Sequence, residues 1–270
     1  MYHIPRTHNH QSGFSLVELA IALTVIGLLL AGVIKGRELV ENTRVSRMIT
    51  DFKHYEAAIT SFNDVYGSLP GDILGPDARV PGCNDAPCST SGNRDGVIGH
   101  IYRSSYATTT AKEYVQAGTS ENRRVWIQLS RAGLISSINN SFSDGSGLPV
   151  NTPGQDFPET PWRGVIYDVM FWYDDAYSGQ IQNEVIPGHY IRTKSVPITS
   201  RGAPLLSTRI AMHLDQKIDD GKPLTGNVLG MTVGTTACVV SASVNRYQLP
   251  EGSAMVTTPA SCEIVYRTNF

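Results

Sequence analysis

The chain has 270 residues, enough for one good-sized domain or two small ones. Its 22 Lys and Arg stand against 24 Asp and Glu, so no bulk charge advertises nucleic acid. Twenty-five glycines and fifteen prolines, with many Ser, Thr and Asn, suit a loop-rich, strand-rich domain.

Residues 1–13 are polar, with Arg6, three histidines and no acidic side chain. From Phe14 to Ile34 the run has one ionisable side chain, Glu18, and it ends at Lys35. As a helix it spans roughly 30 Å at 1.5 Å per residue, the thickness of a bilayer's hydrocarbon core. The run is too long for a secretory signal, and its one A-x-A, Ala20-Ile21-Ala22, lies in the middle of it. A carboxylate costs on the order of 2.5–3.5 kcal/mol at the centre of such a span and less near an end, so Glu18 needs a partner.

Gly13-Phe14-Ser15-Leu16-Val17-Glu18, after a polar leader, resembles the processing site of type IV pilins and of the pseudopilins of type II secretion. The resemblance implies cleavage after Gly13 by a prepilin peptidase on the cytoplasmic side and methylation of Phe14. It makes Glu18 the fifth residue of the mature chain, meeting the N-terminal amine of a neighbouring subunit and setting axial register. Other pilin subunits, the peptidase/methyltransferase and an inner-membrane assembly platform are the implied partners. The implied location is the bacterial inner membrane, single-pass, and then an extracytoplasmic or cell-surface filament. Gly27 stands where pilins often have a glycine edging a segment that unwinds on assembly; at the other edge Lys35 replaces the usual proline.

Beyond Lys35 the helix is expected to continue. Val45, Met48, Ile49, Phe52, Ile59, Phe62 and Tyr66 recur at three- and four-residue steps, with Tyr55 in the gap, and charged residues fill the other faces. Gly67-Ser-Leu-Pro-Gly-Asp72 stops it and looks like a turn common in pilin-like proteins. Residues 73–119 read as long loops. Ser120 to Ala132 reads as a second helix, capped by Ser120, ended by Gly133 and packed through Trp126, Leu129 and Val125. Residues 165–173 and 188–192 read as paired strands, 204–216 as a helix, 228–233 and 237–243 as short strands, and 264–266 as a strand closing the sheet. The expected fold is α+β and pilin-like: a leader (1–13), a long helix (14–66, with 14–34 transmembrane), and an extracytoplasmic head (67–270) whose antiparallel sheet covers the helical stripe.

Four cysteines in a chain with an export-type anchor, lacking C-x-x-C spacing, point to disulfides. Of three possible pairings the sequence-local one, Cys83–Cys88 and Cys238–Cys262, is expected; the second resembles the C-terminal disulfide loop of pilins. Two segments carry oxygen ligands. Ser91 to Ile98 is similar to the start of a calcium loop, with Asn93 and Asp95 as ligands, but Ser91 replaces the first Asp and Tyr102 falls where the bidentate Glu belongs. Asp215 to Gly221 is similar to an acidic segment of pilin-like proteins, where Asp219 and Asp220 would either bind calcium or form Asx turns. In both places a plain turn is the favoured reading. Asp174-Asp175 reads as a hairpin turn. No G-x-S-x-G, H-E-x-x-H, P-loop or dinucleotide fingerprint occurs, and the histidines are scattered, so an enzyme is not expected. The expectation is a filament subunit; the alternatives are a minor pilin with an adhesive or DNA-binding head, a secretion pseudopilin, or, remotely, a membrane-anchored enzyme.

Overall fold

A computed structural model describes residues 15–99, 121–138, 153–172, 186–195, 206–232, 238–240, 244–249 and 262–270. Helix α1 runs Leu16–Tyr66, α2 is the single turn Pro76–Arg79, α3 is Glu121–Arg131 and α4 is Thr208–Ile218. The strands are β1 (Val165–Trp172), β2 (Gly188–Ser195), β3 (Val228–Thr232) and β4 (Cys262–Arg267). The chain divides into two compact units, residues 1–43 and residues 44–270.

In the first unit every described side chain from Ser15 to Val40 is exposed. An 18-residue window of α1 has a mean hydropathy of 2.5, so this helix is long and apolar enough to cross a membrane.

In the second unit the predicted stripe of α1 is buried. Val45, Met48, Phe52, Tyr55, Ile59 and Phe62 enter the core, joined by Ala58, and Ile49 and Tyr66 pack at its edge. Gly67 ends the helix at φ 63°, the left-handed conformation that glycine adopts without a Cβ penalty. Phe52 stacks on Tyr266 of β4, with centroids 5.0 Å apart, and meets Tyr167 of β1 edge-on; Tyr55 meets Tyr167 and Trp126 of α3 in the same way. Trp126 is a core residue. The rim of this contact is polar: the Tyr167 hydroxyl donates to Asp51 and the Tyr266 hydroxyl to Glu56, each at 3.0 Å.

The sheet is antiparallel in the order β1-β2-β4-β3, so the last strand lies inside it rather than at an edge. Phe171 N–H donates to the Ile98 carbonyl and Tyr167 N–H to Pro158, and on β3 Gly230 N–H donates to Pro223. Loop backbone thus occupies part of both edges, which blunts strand addition. Polar side chains of the sheet are buried as well. Arg192 places Nε and Nη2 on one oxygen of Asp168, at 3.0 and 2.9 Å, and Nη1 3.5 Å from Glu263, while Asn122 donates to the other Asp168 oxygen. Complementary charge is what permits this burial.

Several expected bounds shift, among them the closing strand, which runs Cys262–Arg267 rather than 264–266. Strand β2 extends three residues past Arg192. Helix α4 begins at Thr208 because the Ser207 hydroxyl accepts Ile210 N–H as its N-cap, and it runs on to Ile218. The strand read at 237–243 is, over the described residues 238–240, only an isolated bridge from Val239 to Tyr247. Both disulfides, Cys83–Cys88 and Cys238–Cys262, are formed, and all four cysteines are buried. Ser120, Leu205, Tyr102, Asp174 and Asp175 lie outside the described residues.

Candidate functional site

Two places carry functional groups, and the first is the start of α1. Gly13 and Phe14 lie outside the described residues; Ser15 to Glu18 are described. Ser15 N–H donates to Glu18 Oε2 at 3.0 Å, and Val17 N–H donates to Ser15 Oγ at 3.3 Å. Ser-x-x-Glu with these bonds is a capping box, which satisfies two of the amides a helix start leaves orphaned. Glu18 therefore has a donor within its own chain. Gly27, Gly32 and Gly36 have no atom within 4 Å of where a Cβ would stand, so nothing in the isolated chain requires glycine there.

The second place is an acidic cluster where three segments meet: the turn after α1, the loop 91–99 and the start of α3. Gly92 crosses the Asp72 backbone so closely that a Cβ would collide with it, and Gly92 N–H donates to Ile73 O at 2.9 Å. The loop then wraps the Asp72 carboxylate, which accepts from Asp95 N–H at 3.2 Å and Gly96 N–H at 2.9 Å. Glu121 reaches in from α3 and accepts from the Asn93 and Gly99 amides at 3.3 and 3.2 Å. Asp95 accepts from Val97 N–H and from the Asn93 side chain. Oxygens of Asp72, Asp95 and Glu121 all lie within 4.8 Å of one another. Burial, more than the neighbouring charges, pushes Asp72 and Glu121 above the usual carboxylate range against the pull of their amide donors. Arg124 places its Nη2 3.8 Å from Glu121.

Three carboxylates are the donor set a hard cation takes, although calcium asks for six to eight oxygens. Of the expected ligands, Asp95 is in this cluster and Asn93 spends its side chain on Asp95. Asp219 and Asp220 sit elsewhere, in the connection after α4. Asp219 accepts from the Asn227 and Val228 amides, and Asp220 from Lys222 N–H at 2.9 Å and the Thr225 hydroxyl at 2.6 Å, so these two side chains cap turns. Asp72 and Glu121 are separated from Asp95 by more than twenty residues on either side, so no local spacing betrays them. The flush packing at Gly71, where a Cβ would strike the Glu121 carbonyl, and the bond from Gly71 N–H to Gln128 hold the turn and α3 together.

Residues 8–34 match the family description "Prokaryotic N-terminal methylation motif". No curated protein and no solved structure matches the chain. The motif match and the capping box fall on one stretch, the entry to the exposed apolar half of α1.

Proposed function

We propose that this chain, which carries a prokaryotic N-terminal methylation motif on a long apolar helix and fits the type IV pilin and pseudopilin family, is a structural subunit of a type IV pilus-like filament. In this reading the leader is removed after Gly13, Phe14 is methylated, and α1 anchors the subunit in the inner membrane before it enters the filament. The observation that carries the reading is the coincidence of the motif over residues 8–34 with a helix whose first half is apolar and exposed all round. Such a surface needs lipid or other helices to cover it. Among the described residues of the head, the buried ionic groups Asp168, Arg192 and Glu263 engage one another, and the methylation motif favours a structural subunit over an enzyme.

Mass spectrometry of the protein recovered from membranes tests this. The expected N-terminal peptide begins at Phe14 and carries one added methyl group; an intact leader overturns the reading. The large head, residues 67–270, favours a minor subunit or a pseudopilin as the second reading. Immunogold labelling at filament tips, rather than along their length, would select it.

A further inference from the structure

We propose that Tyr247 and Asp215 form a proton-linked latch that docks residues 238–240 and 244–249 onto α4 and β3. These residues fold back on themselves: Val239 bridges Tyr247, Val240 N–H donates to Arg246 O at 3.0 Å, and Gln248 N–H donates to Cys238 O at 2.8 Å. The Cys238–Cys262 disulfide ties one end to β4. Tyr247 supplies a noncovalent attachment. Its ring lies on the backbone of β3 at Gly230, where a Cβ would stand 2.5 Å from the ring Cε1, so only glycine admits it.

Beyond the ring, the Tyr247 hydroxyl donates to Asp215 Oδ2 at 2.8 Å, and Gly221 N–H donates to Oδ1 at 3.1 Å. Asp215 is fully buried in the last turns of α4. A smaller polar contact flanks the latch: Leu224 N–H donates to Asn245 Oδ1, and Asn245 Nδ2 to Thr225 Oγ1.

The charges acting on Asp215 are Asp219 and Asp220 in its own connection, both repulsive. Strand β3 carries no titratable side chain; on β4, Glu263 is engaged by Arg192, Tyr266 by Glu56, and Arg267 acts on Tyr190. On α4, Lys217 turns to Ser46. Among the described residues no cation acts on the buried carboxylate, and burial pushes it up to about 7, with the two neighbouring aspartates adding to the rise. Burial and Asp215 also hold the Tyr247 hydroxyl well above its ordinary value, so it stays protonated. A tyrosine hydroxyl both donates and accepts, so it bonds the neutral acid as well as the carboxylate. What changes on deprotonation is the buried charge beside Asp219 and Asp220. Because the folded state holds this proton more tightly than the unfolded chain, the stabilisation is complete below the ordinary aspartate range and is lost as pH rises through about 7.

Hydrogen exchange read by mass spectrometry tests the latch on the full chain in detergent with EDTA, after correction for intrinsic rates. Protection of peptides covering residues 238–249 is expected to fall about thirtyfold between pH 5.5 and 8.5, the change that about one and a half units of proton linkage produce. The midpoint is expected near neutrality, while β1 and β2 keep their protection. Asp215→Asn should remove the midpoint. Tyr247→Phe, which keeps the ring on Gly230, should leave the segment weakly protected at every pH. Constant protection in the unmodified chain, or an unchanged midpoint in either variant, overturns the proposal.

Discussion

A carboxylate on an apolar helix needs a donor, and Glu18 finds one in the Ser15 amide of its own first turn. A filament neighbour's amine would therefore compete with an existing bond rather than rescue a bare charge. Glu18→Ala should leave cleavage and membrane insertion intact while lowering the yield of sheared filaments. N-terminal mass spectrometry beside a blot of the sheared fraction measures both, and normal filament yield would refute the assembly role. In the head, side chains that read as ordinary turn formers prove to be organising acceptors. Asp72 gathers the backbone of loop 91–99 around its carboxylate, and Asp219 and Asp220 cap the connection into β3. The sequence motif around Asp95 was visible; its companions Asp72 and Glu121 were not, because only chain folding brings distant segments within reach.

Among the elements, α1 was the most legible. Its spacing predicted the buried stripe nearly residue by residue, missing Ala58, whose small side chain carries little periodic signal. Phe52 is the centre of that stripe, between Tyr266 and Tyr167. Phe52→Ala should cost about 3–5 kcal/mol of unfolding free energy, the usual range for a buried aromatic, read as a shift in urea midpoint at unchanged slope. A shift under about 1 kcal/mol would mean that the head does not depend on this contact. The shift at α4 has a local cause, the Ser207 cap, which the pattern of apolar residues concealed. Strand spacing placed β1 and β2 side by side but gave no sign that Asp168, Arg192 and Glu263 are buried together, each supplying the charge the next one needs.

Across the whole head, the chain's end is clamped through His189. Its Nε2 accepts Ile98 N–H at 3.0 Å, its carbonyl accepts Thr268 N–H at 3.0 Å, and its ring stacks on Phe270. Burial lowers its pKa to about 4, so the folded state favours neutral imidazole. The contribution is present above the ordinary histidine value and is lost as pH falls from about 6.5 towards 4. Urea midpoints of the unmodified protein should drop over that interval, and His189→Gln should flatten that part of the profile; parallel profiles would remove His189 from the account. The sequence by itself determined the membrane-competent helix with its lone glutamate, the amphipathic continuation, and a strand-rich head, because periodicity, length and a contiguous motif are properties of neighbouring residues. Only the tertiary structure decided the strand order, the buried ionic row, the three-segment carboxylate cluster and the Tyr247 seat on Gly230. Each of these joins residues far apart in the chain, and their energies depend on burial and exact distance, which no local pattern encodes.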